Sequence, residues 1–244
     1  MKNSFLIAVT FLSILPLSCP DWNKKNLKFF CLMLPIVGIL FAIFWNLIFS
    51  ALMKFENLSS ELRGFVMTIL TLILTGGLHM DGFMDSCDGI FSRRDRETKI
   101  KILSDSHVGS FAVIGCVFVI LAKIFLFSEL FRLKTQINFY VPIYSRLGMS
   151  VLLNNLPFAK SGGLAVMLGT LRKKSDNFFL AIILAALIFL NASKIIPVIF
   201  ILFLIIWSKI CLKNFGGITG DLLGGFLEIS EILLLTGTVI ENCI

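Results

Sequence analysis

The chain is poor in charged residues, which make up only 15% of its 244 positions, and it contains just two histidines. A soluble globular domain of ordinary composition has about 25% charged residues. Hydrophobic residues account for 57% of the chain, including 25 phenylalanines, and the mean hydropathy is +0.93. These values exclude a soluble domain and predict an all-α fold, a polytopic integral membrane helix bundle.

Several familiar motifs are also missing. The six cysteines form no Cys-x-x-Cys pair and are interpreted as small hydrophobic residues. The first apolar run, 5–17, lacks a small-residue cleavage site, so we expect it to be retained as a short span or as an interfacial or re-entrant segment. The net charge is +7, but the basic residues lie in loops between apolar runs. They indicate contact with membrane lipid and do not indicate nucleic acid.

Apolar runs long enough to cross a bilayer predict six to seven transmembrane helices. Little chain remains for an extramembrane domain, so residues 1–244 are expected to form a single transmembrane catalytic domain. The loops richest in Lys and Arg alternate with poorer ones, and the positive-inside rule then places loop 79–110 in the cytoplasm. The clearest predicted spans are 29–52, 64–78, 111–131 and 195–212, and weaker ones are 140–158, 178–190 and 222–240.

Three carboxylates recur four and then three residues apart at the end of a hydrophobic run. On a helix, Asp81, Asp85 and Asp88 share an arc of roughly 60°. Like charges beside a membrane are costly unless a cation or strong donors compensate them. Oxygen ligands suit Mg²⁺ or Mn²⁺ bound together with substrate phosphates. We therefore predict a divalent metal site for phosphate chemistry; the alternative is a solvated acidic helix end paired with the arginines that follow.

Nearby polar residues belong to the same prediction. His79 is expected to contact phosphate or to support the ligands rather than to bind the metal. Asp105 and His107 precede a span on the cytoplasmic side, where either could act as a base, a ligand or a phosphate contact. For His107, interfacial hydrogen bonding is an equal alternative. The loop 89–110 is predicted to contain a short amphipathic helix.

A second acidic segment follows the glycine-rich sequence 216–225. Asp221 and Glu228 share a helix face, and Glu228 lies roughly 10 Å deeper. Because a buried acid in a bilayer is costly, we expect Arg146, in a broken span, to pair with Glu228. The predicted topology puts Asp221 at the level of Asp81, so the two could share one metal and substrate site.

These residues resemble the cobalamin-5′-phosphate synthase family of adenosylcobinamide-GDP ribazoletransferases, over essentially the whole chain. The similarity is carried by Gly76-Gly-Leu-His-Met-Asp-Gly-Phe-Met-Asp-Ser-Cys-Asp-Gly89 and by Gly217-Ile-Thr-Gly-Asp-Leu-Leu-Gly224. Between and around them, the family's order is kept by Arg94-Asp-Arg96, Asp105-Ser-His-Val-Gly109, Arg146 and Glu228. The chain departs from the family where His107 replaces a common Arg and Ile14 a frequent basic residue.

The resemblance implies that α-ribazole, or its 5′-phosphate, displaces GMP from adenosylcobinamide-GDP to give adenosylcobalamin or its 5′-phosphate, with Mg²⁺ required. A bacterial or archaeal cytoplasmic (inner) membrane, an active site facing the cytoplasm and a homo-oligomer that small residues would permit are further expectations. The expected metal ligands are Asp81, Asp85, Asp88 and Asp221. The expected catalytic residues are Asp85, Asp88 and Asp105, with the choice of base open. Substrate contacts are expected from His79, Arg94, Arg96, His107, Arg146, Thr219 and Glu228.

Three alternatives remain at this point. A CDP-alcohol phosphotransferase would use similar chemistry, but its Asp-Gly-x-x-Ala-Arg pattern is missing because Asp81-Gly is followed by Phe83-Met-Asp-Ser. A cation-coupled transporter could use Asp221, Glu228 and Arg146 as a midplane site, although no inverted repeat is visible. A membrane scaffold would leave the acidic stripes unexplained.

Overall fold

A computed structural model describes residues 1–135, 137, 139–160, 168, 173–190 and 193–243. Within these ranges the chain is helical and contains no strand, which confirms the all-α prediction. In chain order the helices are α1 Lys2–Leu12, α2 Phe30–Met53, α3 Ser60–Thr75, α4 Leu78–Phe91, α5 Arg96–Ile102, α6 Ser110–Arg132, α7 Val141–Asn155, α8 Lys174–Leu190, α9 Ile195–Phe215 and α10 Gly220–Cys243.

Among the described residues, four helices are long and apolar enough to cross a membrane, namely α2, α6, α9 and α10. A fifth candidate is the bent pair of α3 and α4. The total of four or five is lower than the six to seven predicted. Two weaker predicted spans are short helices, α7 of 15 residues and α8 of 17. The architecture is still that of a polytopic membrane helix bundle.

Local sequence explains where several helices begin and end. The Ser59 side chain accepts a hydrogen bond from the Leu62 amide and starts α3. Asp95 accepts one from the Thr98 amide and starts α5, the short helix predicted in loop 89–110. Thr219 accepts one from the Leu222 amide at the start of α10. Gly216 closes α9 with a φ of 72°, a left-handed conformation that glycine adopts without strain.

The chain turns sharply between α3 and α4. Gly76 and Gly77 have φ angles of 64° and 75°, and the two helices meet at an angle of 92°. Consecutive left-handed residues are readily adopted only by glycine, so this pair sets the elbow. The predicted span 64–78 therefore ends at Thr75, and the aspartates lie on a separate helix that runs in a new direction.

Helix α1 packs inside the bundle rather than beside it. Ile7, Ala8 and Leu12 are fully buried, and α1 lies against α2. The main layers are formed by α2 on α7, α3 on α6, and α4 on α10. The contact between α4 and α10 brings together the two acidic segments identified in the sequence.

Candidate functional site

Helix α4 carries the three predicted carboxylates, as the spacing required. Asp81 lies in the first turn and is exposed, whereas Asp85 and Asp88 are half-buried. The opposite face of α4 packs into the protein through Gly82, Phe83 and other buried side chains. The carboxylates therefore line one side of a helix that is anchored on its other side.

Helices α4 and α10 cross at glycine. A Cβ atom added to Gly82 would lie 2.9 Å from the Asp221 Cα, and one added to Gly224 would lie 2.8 Å from the His79 carbonyl oxygen. The Ser86 hydroxyl contacts the Asp221 carbonyl oxygen at 3.1 Å. This close approach places the first turn of α10 directly beside the carboxylate stripe. The prediction that Asp221 lies at the level of Asp81 agrees with this packing.

The four carboxylates interact electrostatically. Asp85 is repelled by the charges of Asp221, Asp81 and Asp88 and attracted by that of Lys160. The Lys160 ammonium lies 4.0 Å from a carboxylate oxygen of Asp221 and 2.7 Å from the Ser104 hydroxyl. Among the residues that the structure describes, one lysine faces four aspartates, so this part of the site has an excess of negative charge. This excess favours a further cation or a positively charged partner.

Lys160 is held in place by a short backbone pairing. The Ala159 amide donates to the Ile218 carbonyl at 2.9 Å, and the Ile218 amide donates to the Pro157 carbonyl at 2.8 Å. The end of α7 is thereby joined to the segment that enters α10. Thr219, in the same segment, has its hydroxyl 3.2 Å from an oxygen of Asp221. Thr219 thus lies beside Asp221, and its role as a substrate contact stays a prediction.

Asp88 has a structural contact that the sequence did not reveal. One carboxylate oxygen accepts a hydrogen bond from the Gly109 amide at 2.8 Å, and the other accepts one from the Ala112 amide at 3.0 Å. These amides belong to the first turn of α6, whose own N-cap residue is a glycine without a side-chain acceptor. Asp88 therefore caps α6 from a neighbouring helix.

The donor groups at the carboxylates meet part of what a divalent ion needs. In the described part of the chain, no three His, Cys, Asp or Glu side chains are arranged to hold a metal ion between them. The available groups are hard carboxylate oxygens with an uncompensated negative charge. Mg²⁺ commonly binds through one or two carboxylates together with waters and substrate phosphates. The carboxylates suit such shared binding, whereas they do not form a closed protein cage.

Deeper in the bundle, four charged side chains form a buried network. The Lys123 ammonium on α6 contacts Glu228 at 2.6 Å and Glu231 at 2.8 Å. Arg146 pairs with Glu231, donates to the Ser145 hydroxyl at 2.9 Å and lies over the ring of Phe41. The expected pairing of Arg146 with Glu228 was wrong, because Arg146 pairs with Glu231 and Glu228 is paired with Lys123. The network has two cations and two anions, so it is neutral.

His79 is enclosed next to this network. It is 3% exposed, and neither ring nitrogen has a hydrogen-bond partner among the described residues. Arg146, Glu231 and Lys123 are the charged groups that act on it. The ring lies on the side of α4 that faces α10, away from the exposed Asp81. The structure thus places His79, Arg146 and Glu228 inside the bundle rather than at the carboxylates.

Two predicted phosphate-binding arginines lie around the loop after α4. Arg94 is exposed in the turn between α4 and α5. The Arg96 side chain donates to the Phe215 carbonyl at 2.8 Å and covers Gly216, where an added Cβ would collide with the guanidinium. Lys99 binds the Asn214 side chain at 2.6 Å. Arg96 therefore caps the end of α9 and attaches α5 to it.

Asp105 and His107 form an exposed pair. Their side-chain atoms are 2.6 Å apart, and the side chains of His107 and Asp105 are 90% and 54% exposed. The hydrogen bond to His107 lowers the pKa of the Asp105 carboxyl, and the same contact raises the pKa of the His107 imidazole. The pair lies in the loop just before Gly109, whose amide donates to Asp88.

Sequence reasoning missed two lysines, for different reasons. Lys123 is a single charge in a strongly apolar helix, and this rarity is a signal that it has a buried acidic partner. Lys160 follows a broken helix and carries no comparable signal. Its proximity to Asp221 depends on the backbone pairing between residues 157–159 and 218, which periodicity does not predict.

An apolar helix bundle in which four carboxylates lie where α4 crosses the glycine-rich start of α10 defines a polytopic membrane protein with an acidic site. The chain belongs to the cobalamin-5-phosphate synthase family, which matches residues 4–239. The resemblance found in the sequence is thus confirmed.

Curated relatives span the same length. One from Clostridium botulinum (strain Alaska E43 / Type E3) is named adenosylcobinamide-GDP ribazoletransferase and is 31% identical, over 96% of this chain and 96% of its own. Relatives with the same name from Halalkalibacterium halodurans and Desulforamulus reducens are 31% and 33% identical. The alignment with the Halalkalibacterium relative covers 95% of this chain and 93% of the relative, and that with the Desulforamulus relative covers 99% of each. No solved structure matches the chain.

Proposed function

We propose that the protein is an adenosylcobinamide-GDP ribazoletransferase, which joins α-ribazole or its 5′-phosphate to adenosylcobinamide-GDP and releases GMP. Membership of the family and the shared name of its relatives support this activity. The observation that carries the site assignment is the packing of Asp221 against Gly82, beside the stripe of Asp81, Asp85 and Asp88. In this reaction the bond between the corrinoid-attached phosphorus and the bridging oxygen of the diphosphate breaks, and GMP leaves with that oxygen. The same phosphorus forms a new phosphoester bond to the ribose.

Mg²⁺ is proposed as the cation of this site. Asp81, Asp85 and Asp221 would share it with the diphosphate, while Asp88 keeps its oxygens on the start of α6. When bound, the ion would neutralise charge on the phosphate oxygens and stabilise GMP as a leaving group. Lys160, 4.0 Å from Asp221, is positioned to contact a phosphate from the α10 side.

Asp85 is proposed as the base that accepts the proton of the ribose hydroxyl. It is half-buried at the centre of the stripe, whereas Asp105 is exposed and engaged with His107. Asp85 therefore has the position that a base at this site needs, and Asp105 lacks it.

The active site is proposed to face the cytoplasm of a bacterial or archaeal cell, in its inner membrane. The basic segment 89–110 follows the carboxylates in sequence and supports this orientation through the positive-inside rule. A cation transporter is disfavoured because its midplane candidates, Glu228 and Arg146, are each paired within a neutral buried network. The positive and negative charges of this buried network cancel, so no unpaired charge remains in it for a transported cation.

The proposal is tested with Asp85→Asn, which keeps the side chain's size and removes its charge. Turnover of adenosylcobinamide-GDP and α-ribazole should fall at least about 100-fold, as expected for loss of a proton-accepting group. Asp21→Asn, at an exposed position in the loop after α1, is the matched control and should stay active. An Asp85→Asn protein with full activity would contradict the site assignment.

A further inference from the structure

Two cavities of different size flank the carboxylates. The larger has a volume of about 840 Å³ and lies at the elbow between α3 and α4. It is lined by Ile73, Leu78, Met84 and Ile14, with Asp81 in its wall. The smaller has a volume of about 180 Å³ and lies beside the start of α10, where Phe11, Phe158, Leu223 and Thr219 line it.

Each cavity borders the proposed reaction centre through a different residue. Asp81, the first carboxylate of the stripe, forms part of the wall of the larger cavity. Thr219 lines the smaller one, and its hydroxyl is 3.2 Å from Asp221. A ligand in either cavity would therefore border the carboxylates, and two ligands could do so together.

The larger cavity has the features of a site for a bulky apolar face. Ile14, Ile73 and Leu78 are each more than half exposed around it. Its floor includes Gly77, where an added Cβ atom would meet nothing within 4 Å. The glycine elbow thus leaves open a broad concave surface that side chains would otherwise fill. Cavities of this size accommodate large ligands, and an apolar lining with one polar edge fixes their orientation.

The smaller cavity suits a flat ring. Two aromatic side chains, Phe11 and Phe158, form part of its lining, and aromatic rings pack favourably against planar aromatic ligands. Its volume is below the usual range of about 300–1,000 Å³ for drug-sized ligands, so it could admit a ring system but not a macrocycle.

We infer that the two substrates approach the carboxylates through separate cavities, with the corrin ring in the elbow cavity and the base of ribazole in the small aromatic cavity. This inference rests on the proposed function. The corrinoid's attached phosphate would then reach Asp81 and Asp85, and the ribose would enter past Thr219 and Asp221. The size of each cavity selects its substrate.

The corrinoid half is tested by a binding measurement that needs no turnover. Cobinamide, which has the corrin ring but no GDP, is dialysed to equilibrium against the protein in lipid nanodiscs with EDTA present, and bound corrinoid is read by visible absorbance. The wild type should show saturable binding. Ile73→Trp, which fills the elbow cavity, should weaken it at least about tenfold, and Leu62→Trp should not. Leu62 is on the same helix, is similarly exposed and does not line the cavity.

The proposed site for the ribazole base is tested by comparing how each variant changes the KM for α-ribazole and the KM for adenosylcobinamide-GDP. Phe158→Ala, which removes one aromatic wall, should raise the KM for α-ribazole at least about fivefold and leave that for adenosylcobinamide-GDP unchanged. Leu223→Phe, which narrows the same cavity from α10, should give the same split if Phe158→Ala does not fold. Ile73→Trp should show the reverse split, and Phe91→Ala, an aromatic deletion away from both cavities, should show none.

The inference is overturned if cobinamide binding is not saturable, if Ile73→Trp binds like the wild type, or if the variants change both KM values alike. Failure of the proposed function would look different. In that case the wild type would make no product from the natural pair of substrates, while the dialysis result would still decide where a corrinoid binds.

Discussion

Gly82 and Asp221 lie in backbone contact, so that a Cβ atom on Gly82 would be 2.9 Å from the Asp221 Cα. This contact is where two acidic segments, separated by most of the chain, become one site. A side chain at Gly82 would have to push α10 away from α4. The distance between Asp221 and the carboxylates of α4 therefore depends on the absence of one methyl group.

Gly82→Ala is expected to lower both activity and stability. Overpacking a close helix contact costs about 1–3 kcal/mol, and the shift of Asp221 should reduce turnover more strongly than the thermal midpoint. Gly38→Ala is the control for overpacking, because a Cβ atom there would lie 2.8 Å from the Ile143 Cα where α2 meets α7, so it should lower the thermal midpoint and leave the turnover of the folded protein unchanged. Turnover and thermal unfolding in detergent would be measured together; an unchanged turnover in Gly82→Ala would show that this spacing is not critical.

Lys123 is expected to be a major contributor to stability. Lys123→Met leaves Glu228 and part of Glu231 without a cation, and breaking a buried ion pair typically costs about 3–5 kcal/mol. The double variant Lys123→Met with Glu228→Gln restores neutrality, since Arg146 still pairs with Glu231. Thermal unfolding should therefore show a large loss for the single variant and partial recovery for the double one. Equal losses in both would contradict the charge-balance account.

Asp88 should differ from Asp85 when each is replaced. Asp88→Ala removes the acceptor for two amides at the start of α6, and loss of a helix cap costs about 0.5–2 kcal/mol. Asp85→Asn breaks no such contact. Thermal unfolding should thus detect Asp88→Ala and not Asp85→Asn, although both lower turnover. Identical thermal midpoints for Asp88→Ala and the wild type would remove the capping role.

The exposed pair of His107 and Asp105 should titrate as a unit. Because Asp105 raises the pKa of His107 and His107 lowers that of Asp105, the attraction is complete between the two pKa values. It fades as the pH rises through the raised pKa of His107, and also as the pH falls through the lowered pKa of Asp105. NMR of the imidazole should give a His107 pKa above its usual value, and Asp105→Asn should return it. The chain's only other histidine, His79, is buried.

The part of the site that sequence could predict is the part that local periodicity controls. The stripe of Asp81, Asp85 and Asp88 follows from a spacing of four and three residues. The sharing of one site by Asp221 and α4 followed from topology, because both segments end at the same side of the predicted membrane. These inferences need only helix geometry and the distribution of basic loops.

The remaining features depend on how distant helices cross. Arg146 was expected opposite Glu228, but Glu228 and Glu231 are three residues apart on one face, so sequence alone does not choose between them. The capping of α6 by Asp88 joins positions 21 residues apart, and Lys123 meets Glu228 across 105. The elbow at Gly76 and Gly77 divided a predicted span, since two adjacent glycines fit a helix and a sharp turn alike.

The most direct test of the proposed activity uses purified protein with adenosylcobinamide-GDP and α-ribazole, in Mg²⁺ or in EDTA, with GMP and cobalamin separated by chromatography. The account predicts equal amounts of GMP and cobalamin in Mg²⁺ and neither product in EDTA. Equal product yields with and without the chelator would contradict the metal-dependent carboxylate site, and well-folded protein that forms no product in Mg²⁺ would contradict the activity itself.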